Sequence, residues 1–167
     1  MVPKHSTLTP QQAWPRITKY CAYQERCHAE VREKLYSLGL HRSDVETMLM
    51  RLIEENYLNE ERYAQQFAGG HFRLKQWGRV KIAYALRQKG VSEYCVKKGL
   101  LEIEAVAYRQ VLEKLARQKR AQLKGLPPLA KQGKTRNFLL QRGFEPSLIA
   151  EVLREMWPEA SDHSALQ

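Results

Sequence analysis

An all-α fold of three tandem three-helix repeats, forming an elongated, curved array, is what this sequence predicts, on three observations. Apolar residues recur at i, i+3, i+4 and i+7, as at Val45, Met48, Leu49, Leu52 and Ile53, the spacing of one helix face. No segment shows the sustained period-2 alternation of β-branched residues that a sheet needs. The pattern Leu, three residues, Gly, apolar residue occurs three times, at Leu35 to Leu40, Leu86 to Val91 and Leu139 to Phe144. Its glycines, Gly39, Gly90 and Gly143, lie 51 and 53 residues apart. Six and ten residues beyond each, the apolar positions recur as Val45 and Leu49, Val96 and Leu100, Ile149 and Leu153.

The elements follow in chain order. Residues 1–12 read as a flexible N-terminal tail. Repeat 1, residues 13–58, opens with a helix from Trp14 to Tyr23; Gly39 ends the second helix, at a position that favours positive φ. Ser43 with Glu46 reads as a capping box for the third, Asp44 to Glu55. Repeat 2, residues 59–103, has a long helix from Glu60 to Leu74, a second that starts near Gly78 and stops at Gly90, and a third capped by Ser92. Repeat 3, residues 104–157, runs as a helix from Glu104 to Leu123, then breaks at Lys124 to Leu129 because Pro127 and Pro128 cannot continue it. Gly143 ends the next helix, and Glu145 followed by Pro146 at the first helical position starts the last. Residues 158–167 read as a flexible C-terminal tail. Phe67 and Tyr84 are expected in the core, whereas Trp77, beside a helix start, is open to a core or a stacking role. One three-helix unit buries little surface alone, so neighbours are expected to share apolar contacts.

The charge is large and unevenly placed. There are 28 Lys+Arg against 18 Asp+Glu, a net +10, with a pI near 9.7 and a mean hydropathy of −0.58. Residues 1–58 carry only +1, residues 59–102 carry +5 and residues 103–167 carry +4. Between Arg73 and Lys98 eight basic residues face Glu93 alone, and between Arg109 and Arg142 ten face Glu113 alone. Solvated helix faces explain single lysines, but like charges gathered in two windows cost stability without improving solubility. They point to a polyanionic partner: nucleic acid, an acidic membrane surface or an acidic protein groove.

Several classes of chemistry lack their residues. No apolar run approaches the roughly 18 residues of a membrane span, and Met1 to Pro10 lacks the apolar core of a secretory signal, so a cytoplasmic protein is expected with no membrane partner. Cys21, Cys27 and Cys95 are odd in number and expected as free thiols. Cys21, Cys27 and His28 form an incomplete ligand set, so no metal and no cofactor is expected. Gly69-Gly70 lacks the Lys-Ser/Thr of a phosphate loop, the five histidines are scattered, and adjacent pairs such as Glu54-Glu55 suit helix ends. No catalytic residue is assigned, and the chain is not expected to be an enzyme.

A more specific pattern spans the middle of the chain. Tyr57-Leu58-Asn59-Glu60-Glu61-Arg62-Tyr63-Ala64-Gln65-Gln66-Phe67 is followed by Trp77-Gly78-Arg79-Val80-Lys81-Ile82-Ala83-Tyr84-Ala85-Leu86-Arg87-Gln88-Lys89-Gly90-Val91. This resembles the RecX family of bacterial recombinase regulators, whose signature is an apolar residue, Asp/Asn, an acidic residue, aromatic-Ala and an aromatic, then Gly-Arg, an apolar helix and Leu-x-x-Lys-Gly-Ile/Val. The resemblance covers Trp14 to Met156 and extends to the threefold three-helix architecture. It departs in repeat 1, where Gln24-Glu25-Arg26-Cys27 and Glu30-Val31 stand in place of Arg-x-Arg-Ser and Glu-Leu, so that Cys27 replaces a capping hydroxyl.

The resemblance implies a non-catalytic regulator that binds the RecA nucleoprotein filament, RecA with single-stranded DNA, and suppresses its ATP hydrolysis, strand exchange and coprotease activities; the chain is expected to be a monomer. Weak direct nucleic-acid binding is a further expectation. The candidate contacts are Arg73, Lys75, Arg79, Lys81, Arg87, Lys97 and Lys98 in repeat 2, and Arg117, Lys119, Arg120, Lys131, Lys134 and Arg136 in repeat 3. Repeat 1, with its +1, is expected to serve packing or a less charged contact. Two other readings compete: a stand-alone basic helical DNA or RNA binder, and a helical adaptor for an acidic protein. Base reading has weak support, since Lys97 and Lys98 suit phosphate.

Overall fold

A computed structural model describes residues 7–158. It contains nine α-helices and no strand among the described residues: α1 Pro10–Tyr23, α2 His28–Ser37, α3 Arg42–Glu54, α4 Glu60–Lys75, α5 Arg79–Gln88, α6 Glu93–Leu100, α7 Ala105–Gln122, α8 Pro128–Gln141 and α9 Pro146–Met156. None of the helices is long and apolar enough to cross a membrane. The all-helical repeat fold is as the periodicity predicts.

The local signals explain most boundaries. Gly39, Gly90 and Gly143 stand at φ +85°, +77° and +89°, each just past a helix end. Ser92 Oγ accepts from the Cys95 N–H at 3.3 Å, and Pro146 is the first residue of α9 after Glu145. Three expectations change. α1 begins at Pro10, inside the expected tail, because Thr9 and Gln12 exchange side-chain and backbone hydrogen bonds as a capping box. α3 starts at Arg42 rather than behind Ser43: the His41 carbonyl already accepts from the Val45 N–H at 2.9 Å, while the Glu46 carboxylate turns to Arg32 Nε at 3.0 Å. Tyr84 is 63% exposed, since Ile82, Ala83 and Leu86 fill the buried stripe of α5 and leave Val80 and Tyr84 on the other face; Phe67 is half-buried. The expected tail beyond Pro158 lies outside the described residues.

The helices group into two compact units that do not follow the sequence repeat. Unit 1 is the described part of Met1–Phe67 with Leu86–Gly99, and unit 2 is Ala68–Ala85 with the described part of Leu100–Gln167. The chain passes from one to the other within α4, within α5 and at the last residue of α6, so the second repeat is divided between them.

Unit 1 closes over Ala13, Ile17 and Cys21 of α1, Val31 and Leu35 of α2, and Val45, Met48, Leu49 and Leu52 of α3. Ala13, Ile17 and Cys21 recur every fourth residue, as one face of a helix must. At the start of α2, Cys27 keeps a cap despite lacking a hydroxyl: its N–H donates to the Glu30 carboxylate at 3.0 Å. All three cysteines are buried and free, and burial pushes the Cys21 thiol up to about 11.

Unit 2 is built round Tyr108, Leu112, Leu115 and Ala116 of α7, which meet Leu139 of α8, Phe144, and Ile149, Val152 and Leu153 of α9. Phe72 and Ile82 from the second repeat are buried in the same unit, and the Phe72 and Phe144 rings flank Tyr108 at 5.7 and 5.1 Å. The start of α5 is held by backbone groups from the turn before α9. The Gly78 N–H donates to the Arg142 carbonyl at 2.8 Å and the Val80 N–H to the Gly143 carbonyl at 2.9 Å, which satisfies donors a helix start leaves open. A Cβ on Gly78 would stand 2.2 Å from the Gly143 carbonyl, so only glycine allows this approach.

Gly78→Ala is therefore expected to destabilise the protein by about 2–3 kcal/mol through overpacking. Gly133→Ala, within α8 where nothing meets an added Cβ, is expected to stabilise it by about 0.5–1 kcal/mol through helix propensity. Urea unfolding of the two variants checks both signs.

Candidate functional site

The first half of α7 gathers acidic side chains and the second half is basic. Arg109 Nε bonds Glu113 at 2.9 Å, and its two terminal nitrogens bond Glu151 and Glu155 of α9 at 2.8 Å each. Bonds to Glu151, Glu155 and Glu113, in that order, raise the guanidinium pKa. One cation thus engages three carboxylates of unit 2.

Farther along, Arg117, Arg120, Ala121 and Lys124 recur at i, i+3, i+4 and i+7, and with Lys131 of α8 they line a depression of about 350 Å³. No acidic residue lines it. Arg120 is fixed there by a hydrogen bond to the Met156 carbonyl at 3.2 Å and by stacking 4.6 Å from the Trp157 ring centre. Arg117 is 70% exposed, with Glu113 only at 3.8 Å. Lys124 and Lys131 make no ion pair among the described residues. Cations in the last turn of a helix also complement its dipole, which Lys119 and Arg120 do. Lys124 and Lys131 lie outside α7's last turn, so the dipole does not explain them.

The other predicted contacts divide by what already holds them. Lys134 and Arg136 are exposed on α8, and Lys119 Nζ sits 5.0 Å from the Phe138 ring centre. Arg73 is exposed on α4, while Lys75 and Lys81 place their ammonium groups 5.2 and 4.6 Å from the centre of the half-buried Trp77 ring. The His71 ring packs 4.7 Å from Trp77, making a small platform between two cations. Lys97 and Lys98 lie on α6 in unit 1, with Lys98 Nζ 5.5 Å from the Tyr94 ring centre. Arg87, also in unit 1, is paired with Glu93 at 2.5 and 3.1 Å, which lowers the Glu93 pKa.

Arg79, also among the predicted contacts, is already engaged within unit 2. Its guanidinium lies 3.8 Å from the Tyr108 ring centre and bonds Glu145 at 3.3 Å. The Tyr108 hydroxyl donates to Glu145 at 2.6 Å and accepts from the Arg79 N–H at 2.9 Å. Burial, then Glu145, raise the Tyr108 pKa, so the phenol stays a donor. With its side chain 29% exposed, Arg79 is taken up in unit 2 as an internal pair.

Two features escaped the sequence reading. Lys124 belongs to the depression, and the i, i+3, i+4, i+7 spacing from Arg117 is the signal that finds it. A second basic depression lies in unit 1, where the low net charge of residues 1–58 conceals it; Arg16 and Lys19 contribute to it. No cluster of His, Cys, Asp or Glu suited to a metal occurs among the described residues.

Comparison with known proteins places this arrangement. Residues 59–100 match the RecX second three-helix domain and residues 107–153 match the RecX third three-helix domain. Regulatory protein RecX of Prosthecochloris aestuarii is 32% identical over 151 residues, covering 87% of this chain and 94% of that protein. The chain belongs to the RecX family. Regulatory protein RecX of Streptococcus uberis is 25% identical over 149 residues, and this chain spans 56% of its length. The RecX fold is shared with the crystal structure of RecX from Lactobacillus salivarius, with a TM-score of 0.81 at 23% identity over 87% of this chain and 95% of that one. The relatives are named as regulatory proteins.

Tyr108→Phe is expected to cost about 1–3 kcal/mol, because Glu145 loses a donor and the Arg79 N–H an acceptor in a half-buried setting. Tyr94→Phe, at an exposed ring, should leave the unfolding midpoint unchanged. Equal midpoints for the two variants in thermal unfolding would show that the Tyr108 network carries no stability.

Proposed function

We propose that this RecX-family chain is a non-catalytic regulator that binds the RecA nucleoprotein filament and suppresses its ATPase, strand-exchange and coprotease activities. The observation that carries the reading is family membership over most of the chain, joined to a basic depression that no carboxylate lines. Arg117, Arg120, Lys124 and Lys131 suit an acidic groove or a phosphate backbone, with Lys134 and Arg136 beside Lys131 in sequence on α8. Lys75, Trp77 and Lys81 form a second candidate contact, in which the ring offers a stacking face. A net +10 speeds encounter with such a partner. The three repeats are proposed to span residues 13–58, 59–103 and 104–157, and the chain to act as a monomer in the cytoplasm.

The test is titration into a reaction of RecA, single-stranded DNA and ATP at near-physiological salt, with naked-DNA binding measured alongside. ATP hydrolysis should fall at protein levels well below those that coat the DNA. Lys131→Glu, Lys134→Glu and Arg136→Glu together should weaken this inhibition at least tenfold while leaving thermal stability intact. Inhibition only at DNA saturation would instead favour a stand-alone nucleic-acid binder.

A further inference from the structure

Unit 1 holds a depression of about 370 Å³ lined by Arg16, Lys19, Arg26 and Lys34 together with Tyr20 and Tyr23. Arg16, Lys19, Tyr20 and Tyr23 recur at i, i+3, i+4 and i+7 on α1, a helix that carries no Asp or Glu. Lys34 approaches from α2 and Arg26 from the link between them. Four acidic residues of this part of the chain are engaged by other partners. Glu25 pairs with Arg62, and Glu30 accepts from the Cys27 N–H at 3.0 Å and from Lys89 at 3.4 Å. Glu46 and Glu55 pair with Arg32 and Arg51 at 3.0 and 2.8 Å. None of the four cations of the depression makes an ion pair among the described residues.

The geometry is ordered rather than a loose scatter of charge. Arg26 Cζ lies over the Tyr20 ring, 3.8 Å from its centre, with Nε donating to the Tyr20 carbonyl at 3.3 Å. Lys34 Nζ stands 5.6 Å from the same ring, so Tyr20 fixes two of the four cations. Tyr23, one turn beyond Lys19, is 82% exposed and offers an open ring at the end of the row. Arg16 to Tyr23 spans about 10 Å along the helix axis. That length takes a short run of linked phosphates rather than an isolated one.

We infer that this α1–α2 depression is a binding site for single-stranded nucleic acid, with phosphates on Arg16, Lys19 and Lys34 and a base stacked on Tyr23. The unit 2 depression has the same helical spacing, but Ala121 and Lys124 occupy the places that Tyr20 and Tyr23 hold here. It therefore offers cations alone, whereas unit 1 combines cations with rings, the composition that holds unpaired bases. An acidic peptide needs only the cations, and a lipid surface needs an aliphatic rim; Leu38 is the one aliphatic side chain lining the depression. The assignment does not rest on the filament reading, because it concerns naked nucleic acid and the free chain.

The experiment is fluorescence anisotropy of a labelled short oligothymidylate with the full chain across a salt series. Arg16→Glu, Lys19→Glu and Lys34→Glu combined should weaken binding and flatten the log K against log salt slope by about 2, from three single-strand phosphates. Tyr23→Ala should weaken binding about 5- to 100-fold with the slope unchanged, and Tyr23→Trp should restore it. Reversal of Arg42, Lys114 and Arg154 to Glu supplies a charge-matched control that should change both quantities less. Thermal unfolding checks that the triple variant folds, and if it does not, Tyr23→Ala at its exposed position carries the test. The site is overturned if Tyr23→Ala binds like the parent, or if the control loses as much as the α1 variant. It is equally overturned if poly-glutamate, or vesicles of anionic lipid, displace the labelled oligomer as well as unlabelled oligothymidylate does.

Discussion

Gly78 and Gly143 set how closely the start of α5 can approach the turn before α9. Their backbones touch where side chains would collide, and the contact satisfies two amide donors that a helix start would leave to water. Around that approach the Tyr108, Glu145 and Arg79 network forms: α5 brings Arg79, α7 brings Tyr108 and the residue before α9 brings Glu145. The two depend on each other, since Arg79 follows Gly78 directly and Glu145 stands two residues after Gly143. Interiors are packed to crystal-like density, so a shift of even one methyl group at the glycines would pull the polar network apart.

The charge distribution is the second organising feature. Arg109 draws Glu113, Glu151 and Glu155 to one end of α7, leaving the other end basic. Gathering like charges is costly, and the contacts of Arg120 with Trp157 and of Lys119 with Phe138 return only part of that cost. A sequence selected for stability alone would have interspersed the signs. The segregation instead fits a surface whose cost is met when a polyanion arrives.

Much of this was legible in the sequence, and the exceptions have identifiable causes. The repeat glycines, the Ser92 cap and Pro146 act through one or two neighbouring residues, so local pattern suffices to find them. The Thr9 and Gln12 cap was equally local and visible as Thr-x-x-Gln. Ser43 misled because a serine three residues before a glutamate is ambiguous until the tertiary partner of Glu46, Arg32, is known. The Arg79 pair was not legible because its acid partner lies 66 residues away. The basic cluster of α1 vanished into a net charge averaged over 58 residues, since the balancing acids sit on the same stretch of chain and four of them bond other partners.

The division of the second repeat bears on how this architecture can vary. A chain made of similar units suggests beads on a string, to which copies are added or removed without harm. Here residues 59–100 give Tyr63, Ala64, Leu86 and Val96 to one interior and Phe72, Ile82 and Ala83 to the other. Excising the middle unit would open both interiors at once. The second repeat is thereby the one whose loss this chain could not confine to a single core.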